Sequence, residues 1–430
     1  MTLRLLPVLL PLSLLSVACT DTEEKDLDDG TGEETTDNTT DSGTPSTDAP
    51  TWHADVQPIM ATHCTRCHYD GGLGPSDFTD LDTVKALAPA MRGSMDAGQM
   101  PPAAADPGCR DYEGSEHLTL PDSAAATFSA WVDADMPEGE PGEAVETVQI
   151  KDTLDDPDAV LMMEAPYTPT YEDPSNPGNE YRCFAVEAGE LAGQSITAMA
   201  PVVGNNQLVH HIVLFTMPSE SLTEDMRDPA GWDCIDGMGS DSLDGMLTAW
   251  APGMLPIEFP EGTGLAIEPD HHIVVQMHYF YNGPETDGAS DQSGYAFHVA
   301  DGPVSPVFMA PVGDFSFAIP PGATDYTSTD TFENSFLDLQ VLGMFPHMHQ
   351  LGTWFNAVIK HDDGTETCLV DGAYSFDNQM TYQFKEPAEF KQGDSVEFTC
   401  TWDNSEGTNT VTYGERTDEE MCFFFTFVTL

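Results

Sequence analysis

Val396-Glu397-Phe398-Thr399-Cys400-Thr401-Trp402 alternates apolar and polar residues at every step. Successive side chains on a strand point to opposite faces, so this stretch reads as a strand with one face in a core. Just upstream, Asp363-Gly364 separates Phe355–Lys360 from Thr365–Val370, which is a hairpin signal. From about Val148 onward the chain runs in short apolar segments divided by Gly, Pro, Asn and Asp, with no long helical stripe. The expectation is a mainly β protein: two consecutive jelly-roll-like β-sandwiches, 143–302 and 303–430, preceded by a small α-helical domain. The boundary between the sandwiches falls near Ala300 to Pro303.

Composition agrees. The 430 residues include 36 Gly and 33 Pro with only 20% charged side chains, which favours turns over helical bundles. Lys and Arg number 13 against 74 Asp and Glu, a formal net charge of −61. A phosphate backbone would be repelled, so nucleic acid is excluded as a partner. Nine cysteines point to an oxidising compartment.

The first residues carry an address. Arg4 precedes an apolar run from Leu5 to Val17, then Ala18 and Cys19, a secretory signal over 1–18 that is too short to span a membrane. A small residue directly before a cysteine resembles the bacterial lipoprotein cleavage site, although Ser16 stands where that motif prefers Leu. The resemblance implies a lipid on Cys19 and a place in the bacterial cell envelope, at the outer membrane, in the periplasm or at the cell surface. A soluble secreted chain is the alternative. Residues 19–50 follow as a tether. Eleven acidic residues lie between Thr20 and Pro50, with Leu27 the one bulky apolar side chain. Such a segment buries too little surface to offset the entropy of ordering.

Cys64-Thr65-Arg66-Cys67-His68 is C-x-x-C-H, the attachment signature of c-type haem. Two thioethers would hold the porphyrin, with His68 on one face of the iron. A redox C-x-x-C pair is the plainer reading, which the following His and the export signal oppose. Val56, Ile59, Met60 and His63 lead into the motif at helical spacing. Trp52-His53-Ala54-Asp55-Val56-Gln57-Pro58-Ile59 resembles the first helix of small bacterial cytochromes, and Gln99-Met100-Pro101-Pro102 resembles their distal-ligand loop. That makes Met100 the expected second axial ligand, with Met91 and Met95 as rivals. Thr119 to Asp122 reads as a capping box with Pro121 in the first helical turn. Ala124, Phe128, Trp131 and Val132 form the stripe of the helix it opens. The cytochrome-like domain spans 51–142.

Four spots in the β region offer soft-metal ligands: Val209-His210-His211-Ile212, Gln276-Met277-His278-Tyr279, Phe345-Pro346-His347-Met348-His349, and Glu420-Met421-Cys422. His347 and His349 are two apart, so on a strand they share a face. His210 and His211 should face opposite ways. They can share an ion only if the strand ends, twists or bulges there, or if different ring nitrogens are used. Imidazole suits copper in both oxidation states and a thioether favours Cu(I).

In order and local context the four spots resemble the copper type II monooxygenases, over about Leu161 to Leu430. The resemblance implies two copper ions, one held by His210, His211 and His278, the other by His347, His349 and Met421. It implies that the first relays electrons and that O2 and a substrate C–H meet at the second, across an open cleft. It also implies Cys183–Cys234 and Cys400–Cys422 disulfides. Cys109 and Cys368 are left over, either to bridge the cytochrome to the second sandwich or to stay reduced. His271 and His272 match nothing in the family and read as loop or core residues.

Peptide-amidating members carry an Arg, an Asn and a Tyr where this chain has Phe345, Phe423 and Phe425. Those three phenylalanines imply an apolar or aromatic small-molecule substrate instead of a peptide carboxylate. The expected route is from an external donor to the haem, to the copper held by three histidines, to the copper held by two histidines and a methionine, to O2. Two other readings stand beside it. One is a haem and copper electron-transfer or copper-handling lipoprotein without hydroxylation; the other is a binding module whose histidines are structural.

Overall fold

In the computed structural model the alternating stretch forms the strand Ser395–Trp402, buried at every second residue from Val396 to Trp402. The structure describes residues 49–70, 72, 74–143, 145–147, 153–173, 177–234, 245–376, 378–414 and 416–430. The leader, Cys19 and the tether as far as residue 48 lie outside them. Among the described residues no helix is long and apolar enough to cross a membrane.

Ser395–Trp402 lies between Tyr326–Glu333 and Gly352–Lys360 in a four-stranded antiparallel sheet, with Glu366–Ala373 at its edge. The Asp363-Gly364 hairpin is present: Gly352–Lys360 pairs with Glu366–Ala373, and Gly364 takes φ +83, open to glycine at no steric cost. The apolar face of this sheet meets a nine-stranded sheet, where Phe424 packs edge-on against both Phe355 and Phe398. Cys422–Thr429 runs through that second sheet buried along its whole length, so it reads as one continuous apolar run.

The first half has the same two-layer form. A five-stranded sheet holds Asn179–Glu187, Val209–Pro218 and His271–Phe280 as neighbours. Its inner residues Phe184, Ile212, Leu214, Val275 and Met277 share one core with Ile196, Met199, Tyr295 and Phe297 of the nine-stranded sheet. The two halves are therefore not separate bodies. Thr263–Ala266 of the first half pairs in parallel with Ser305–Asp314 of the second, and one sheet crosses the boundary near Ala300 to Pro303.

The N-terminal module is helical. Trp52–Val56 and Met60–Cys64 wind as π-helical turns around Gln57–Ile59. Two longer helices follow, Leu81–Asp96 and Asp122–Asp133. Trp52 tilts against Trp131 at 5.9 Å, and Phe128 and Trp131 are fully buried beside Val56, Met60 and Val84. The expected capping box is not made. Pro121 sits at the N-cap, ahead of the first turn, and the Thr119 hydroxyl instead donates to Ser115 O of the short helix Ser115–Leu118. The earlier helix ends at Leu118, and Thr119 is already extended there.

Three disulfides tie these layers together: Cys183–Cys234, Cys400–Cys422 and Cys109–Cys368. The last settles the open pair: it joins the N-terminal module to the second sandwich. Cys400–Cys422 staples the two sheets of that sandwich face to face. Phe398 stands at the centre of the stapled core, 1% exposed. Phe398→Ala should lower unfolding free energy by about 3–5 kcal/mol in chemical denaturation, through lost burial and the cavity left behind.

Candidate metal centres

His211 and His278 face each other across neighbouring strands, and Tyr181 faces His278 from the other side. The register of Val209–Pro218 slips between Val209 and His211, so His210 is the extra residue of a bulge. The bulge turns His210 back toward the side that His211 occupies, which a regular strand forbids. The result is convergence. His211 Nδ1 lies 3.3 Å from His210 Nδ1 and 3.2 Å from His278 Nδ1. The three rings offer one nitrogen each within 4.8 Å of one another.

Hydrogen bonds set the ring states. Asn179 Oδ1 accepts from His278 Nε2 at 2.8 Å, which leaves the His278 Nδ1 lone pair aimed at the cluster. Tyr181 stacks on the same ring at 4.2 Å and 4°. Burial holds His211 well below its ordinary pKa, helped by the neighbouring imidazoles, and burial does the same to His278. Both rings are neutral at pH 7, as metal ligands must be.

The second set lies at the end of Leu339–His347. His347 and His349 stand with ring centroids 5.2 Å apart, while Met348 between them is fully buried on the opposite face. Gln379 Oε1 accepts from His347 Nδ1 at 2.8 Å, and Glu419 O accepts from His349 Nδ1 at 3.1 Å. Each bond frees an Nε2 lone pair. Burial, then the adjacent His349, pushes His347 down to about 3; burial pushes His349 down to about 4. Met421 lines the same cavity as these two rings. Its backbone is held by Glu420, whose carboxylate accepts from the N–H groups of Met421, His349 and Leu351 and from Trp402 Nε1.

One cavity of about 160 Å³ holds His211 on one wall and His347, His349 and Met421 on the other. Phe345, Phe423 and Phe425 line it with Val213, Phe215 and Trp250. Phe376 stands in it, 5.9 Å from the His210 ring and 6.2 Å from the His349 ring. The loop that carries Phe376 is held by Gln379 on His347 inside the cavity and by Asn378 on Ala103 O outside it. The donor sets fit copper: three imidazoles on one side, and two imidazoles with a thioether on the other.

In the helical module Cys64 and Cys67 are free thiols. His68 stacks on Phe78 at 4.1 Å, and its Nδ1 is buried with no hydrogen-bond partner. Met91 and Met95 pack on the module's apolar core, whereas Met100 stands 42% exposed in its loop.

Other histidines have ordinary partners. His272 Nδ1 bonds the Ser219 hydroxyl at 2.8 Å, His361 bonds Asp394 and Thr367, and His298 pairs with Asp158. His271 Nδ1 is buried without a partner, and no metal cluster includes it among the described residues. Asn179, Tyr181, Phe376 and Gln379 are site residues that sequence reasoning missed, and none sits in a recognisable motif. Glu420 lies within the Glu420-Met421-Cys422 spot, but its own role was not read there, because it looks like any member of the Asp418-Glu419-Glu420 run.

Residues 168–286 match the N-terminal domain, and residues 309–428 the C-terminal domain, of copper type II ascorbate-dependent monooxygenases. Together they cover more than half of the chain. The chain is 28% identical over 246 residues to the human DBH-like monooxygenase protein 2, covering 53% of this chain and 48% of that protein. It is 25% identical over 252 residues to tyramine beta-hydroxylase of Caenorhabditis briggsae, covering 53% and 41%. It is 24% identical over 225 residues to peptidyl-glycine alpha-amidating monooxygenase A of Xenopus laevis, covering 51% and 23%. The chain thus spans less than half the length of each of these relatives. Among solved structures, the infectious bursal disease virus VP2 subviral particle matches at 12% identity over 66% of this chain and 74% of that chain, with a TM-score of 0.19, too slight a likeness to bear on the fold.

Two measurements follow from the ring chemistry. Asn179→Ala removes the acceptor that fixes the His278 tautomer. Copper affinity at the three-imidazole set should fall roughly 10–100-fold by competitive titration, with the other set unaffected. The second is a pH dependence. His347 and His349 titrate below their unfolded value of 6.5, so below pH 6.5 the unfolded chain binds protons that the folded one refuses. The metal-free protein should lose stability as pH falls from 6.5 toward 4, and a His347→Gln, His349→Gln variant should show a shallower slope in denaturant titrations.

Proposed function

The chain belongs to the copper type II ascorbate-dependent monooxygenase family, and from that premise we propose that it hydroxylates a C–H bond of an apolar or aromatic small molecule with O2. The observation that carries this reading is a single cavity lined by His211, one of three converged imidazoles, and by His347, His349 and the Met421 thioether. Copper supplies the one-electron and O2 chemistry there when bound. His210, His211 and His278 are the ligands we assign to the first ion, and His347, His349 and Met421 to the second.

The chain's own residues do the rest. Asn179 and Gln379 orient rings by accepting from the nitrogen that faces away from the cavity. Phe345, Phe423 and Phe425 exclude water and offer apolar surface where a peptide carboxylate would need a fork of donors. Burial keeps His211, His278, His347 and His349 neutral, so protons compete weakly for them at physiological pH.

The finer reading adds a covalent haem on Cys64 and Cys67, with His68 and Met100 as axial ligands, fed by an external donor. A tethered donor raises the local supply of electrons without new affinity. Arg66, inside the C-x-x-C-H motif, donates to Gly253 O at 3.2 Å. Gly253 follows the cavity-lining residues Trp250 and Ala251, so the contact supports a module docked for electron delivery. Lipid on Cys19 would hold the whole chain to a bacterial envelope membrane.

The test is composition followed by turnover. Purified full chain should carry two coppers per haem, and copper-loaded protein should couple O2 uptake to a hydroxylated product. His347→Ala should abolish product. Glycine-extended peptides should not be amidated. Copper and haem without any O2-coupled product across apolar and aromatic candidates would leave an electron-transfer protein, and absence of copper after loading would remove both.

A further inference from the structure

Residues 103–113 leave the helical module and run as a strap, with a turn at 107–109, across two strands of the second sandwich. Those strands, Glu366–Ala373 and Tyr382–Phe390, are the edges of two different sheets. An edge leaves backbone donors and acceptors unpaired, and the strap takes them from both sides. Ala105 bridges Gly372, and Asp106 N donates to Asp371 O at 2.8 Å. Tyr112 bridges Phe384, and Glu113 N donates to Gln383 O at 2.9 Å. Approach is close enough at Gly372 that a Cβ there would meet Ala105 Cα at 2.6 Å. Arg110 donates to Cys368 O at 3.1 Å and to Glu386 O at 2.7 Å, beside the Cys109–Cys368 disulfide.

The segment joining the two clamped strands is the one that enters the cavity. It carries Phe376 between the imidazole sets. It also carries Gln379, which donates to Phe376 O at 3.2 Å and accepts from His347. Between them, Asn378 Nδ2 donates to Ala103 O of the strap at 3.0 Å. Both ends of the loop, and its middle, are therefore tied to the N-terminal module.

We propose that Phe376 is the spacer that sets the separation of the two imidazole sets, and that the 103–113 strap is the brace that holds it in place. The N-terminal module is then a positioning element of the oxygenase site, whatever electrons it carries. Phe376 is a wedge of fixed shape: withdrawn, it leaves the two walls free to approach or part. Anchored by Asn378 and the disulfide, it gives them one distance.

The inference rests on the copper reading for one arm of its test and not for the other. In full chain loaded with two Cu(II), magnetic dipolar coupling between the ions is read from the half-field electron paramagnetic resonance signal. Wild type should give one narrow coupling. Phe376→Ala should shift it, Phe376→Leu should shift it less, and Asn378→Ala should broaden it. Spectra of all three variants that superimpose on wild type, at two coppers per chain, overturn the spacer. In metal-free full chain, hydrogen exchange of the 374–381 backbone should accelerate about tenfold or more in Asn378→Ala and in Cys109→Ser, Cys368→Ser. Unchanged exchange overturns the brace even if copper never binds, and a wild type that takes no copper counts against the copper reading alone.

Discussion

A single buried carboxylate organises the second half-site. Glu420 is fully enclosed, and burial pushes its carboxyl up to about 7. Removing a charge from water costs several kcal/mol unless hydrogen bonds replace the lost solvation. Four donors do so here. Three of them are backbone groups at His349, Leu351 and Met421, and the fourth is the Trp402 indole. The carboxylate thus joins the end of the H-x-H strand, the residue before Cys422 and the core tryptophan into one knot. The two imidazoles and the thioether share a wall of the cavity because the same two oxygens hold the backbone of both segments.

The first half-site uses a different device. Its three rings come from two neighbouring strands, and only an irregularity brings His210 round. A β-bulge costs regular pairing, and the Cys183–Cys234 disulfide pins the neighbouring strand that supplies Asn179 and Tyr181. The shared nine-stranded sheet joins the halves that carry the two half-sites, and Phe376 stands in the gap between their rings.

The helical module has two kinds of importance, and the structure separates them. Its C-x-x-C-H motif is chemistry in search of a cofactor. Its strap is mechanics, complete in the polypeptide itself: edge pairing, a disulfide and an arginine laid over Phe384 at 5.1 Å. The loop at the heart of the cavity is fastened both to this module, through Asn378, and to its own sandwich, through Gln379 and Tyr374.

Much of this was legible beforehand, for definable reasons. The strand Ser395–Trp402 follows from a two-residue period, and the hairpin at Asp363-Gly364 from the left-handed conformation that glycine accepts. The six ligand candidates and the haem motif are local patterns of residue type, so they could be read without a fold. The condition for His210 and His211 to act together was also readable, because strand geometry forbids it without a bulge. Other features depend on chain segments far apart. Asn179 meets His278 across 99 residues, and Asn378 meets Ala103 across 275. Glu420 is indistinguishable from its acidic neighbours until the fold encloses it, and Phe376 is one phenylalanine among 22 until the strap draws its loop inward. Sequence alone determined which side chains could bind metal and which segments would be strands. Tertiary structure alone decided which of them meet, how far apart, and what holds them there, since desolvation and long-range hydrogen bonding exist only once the chain has closed.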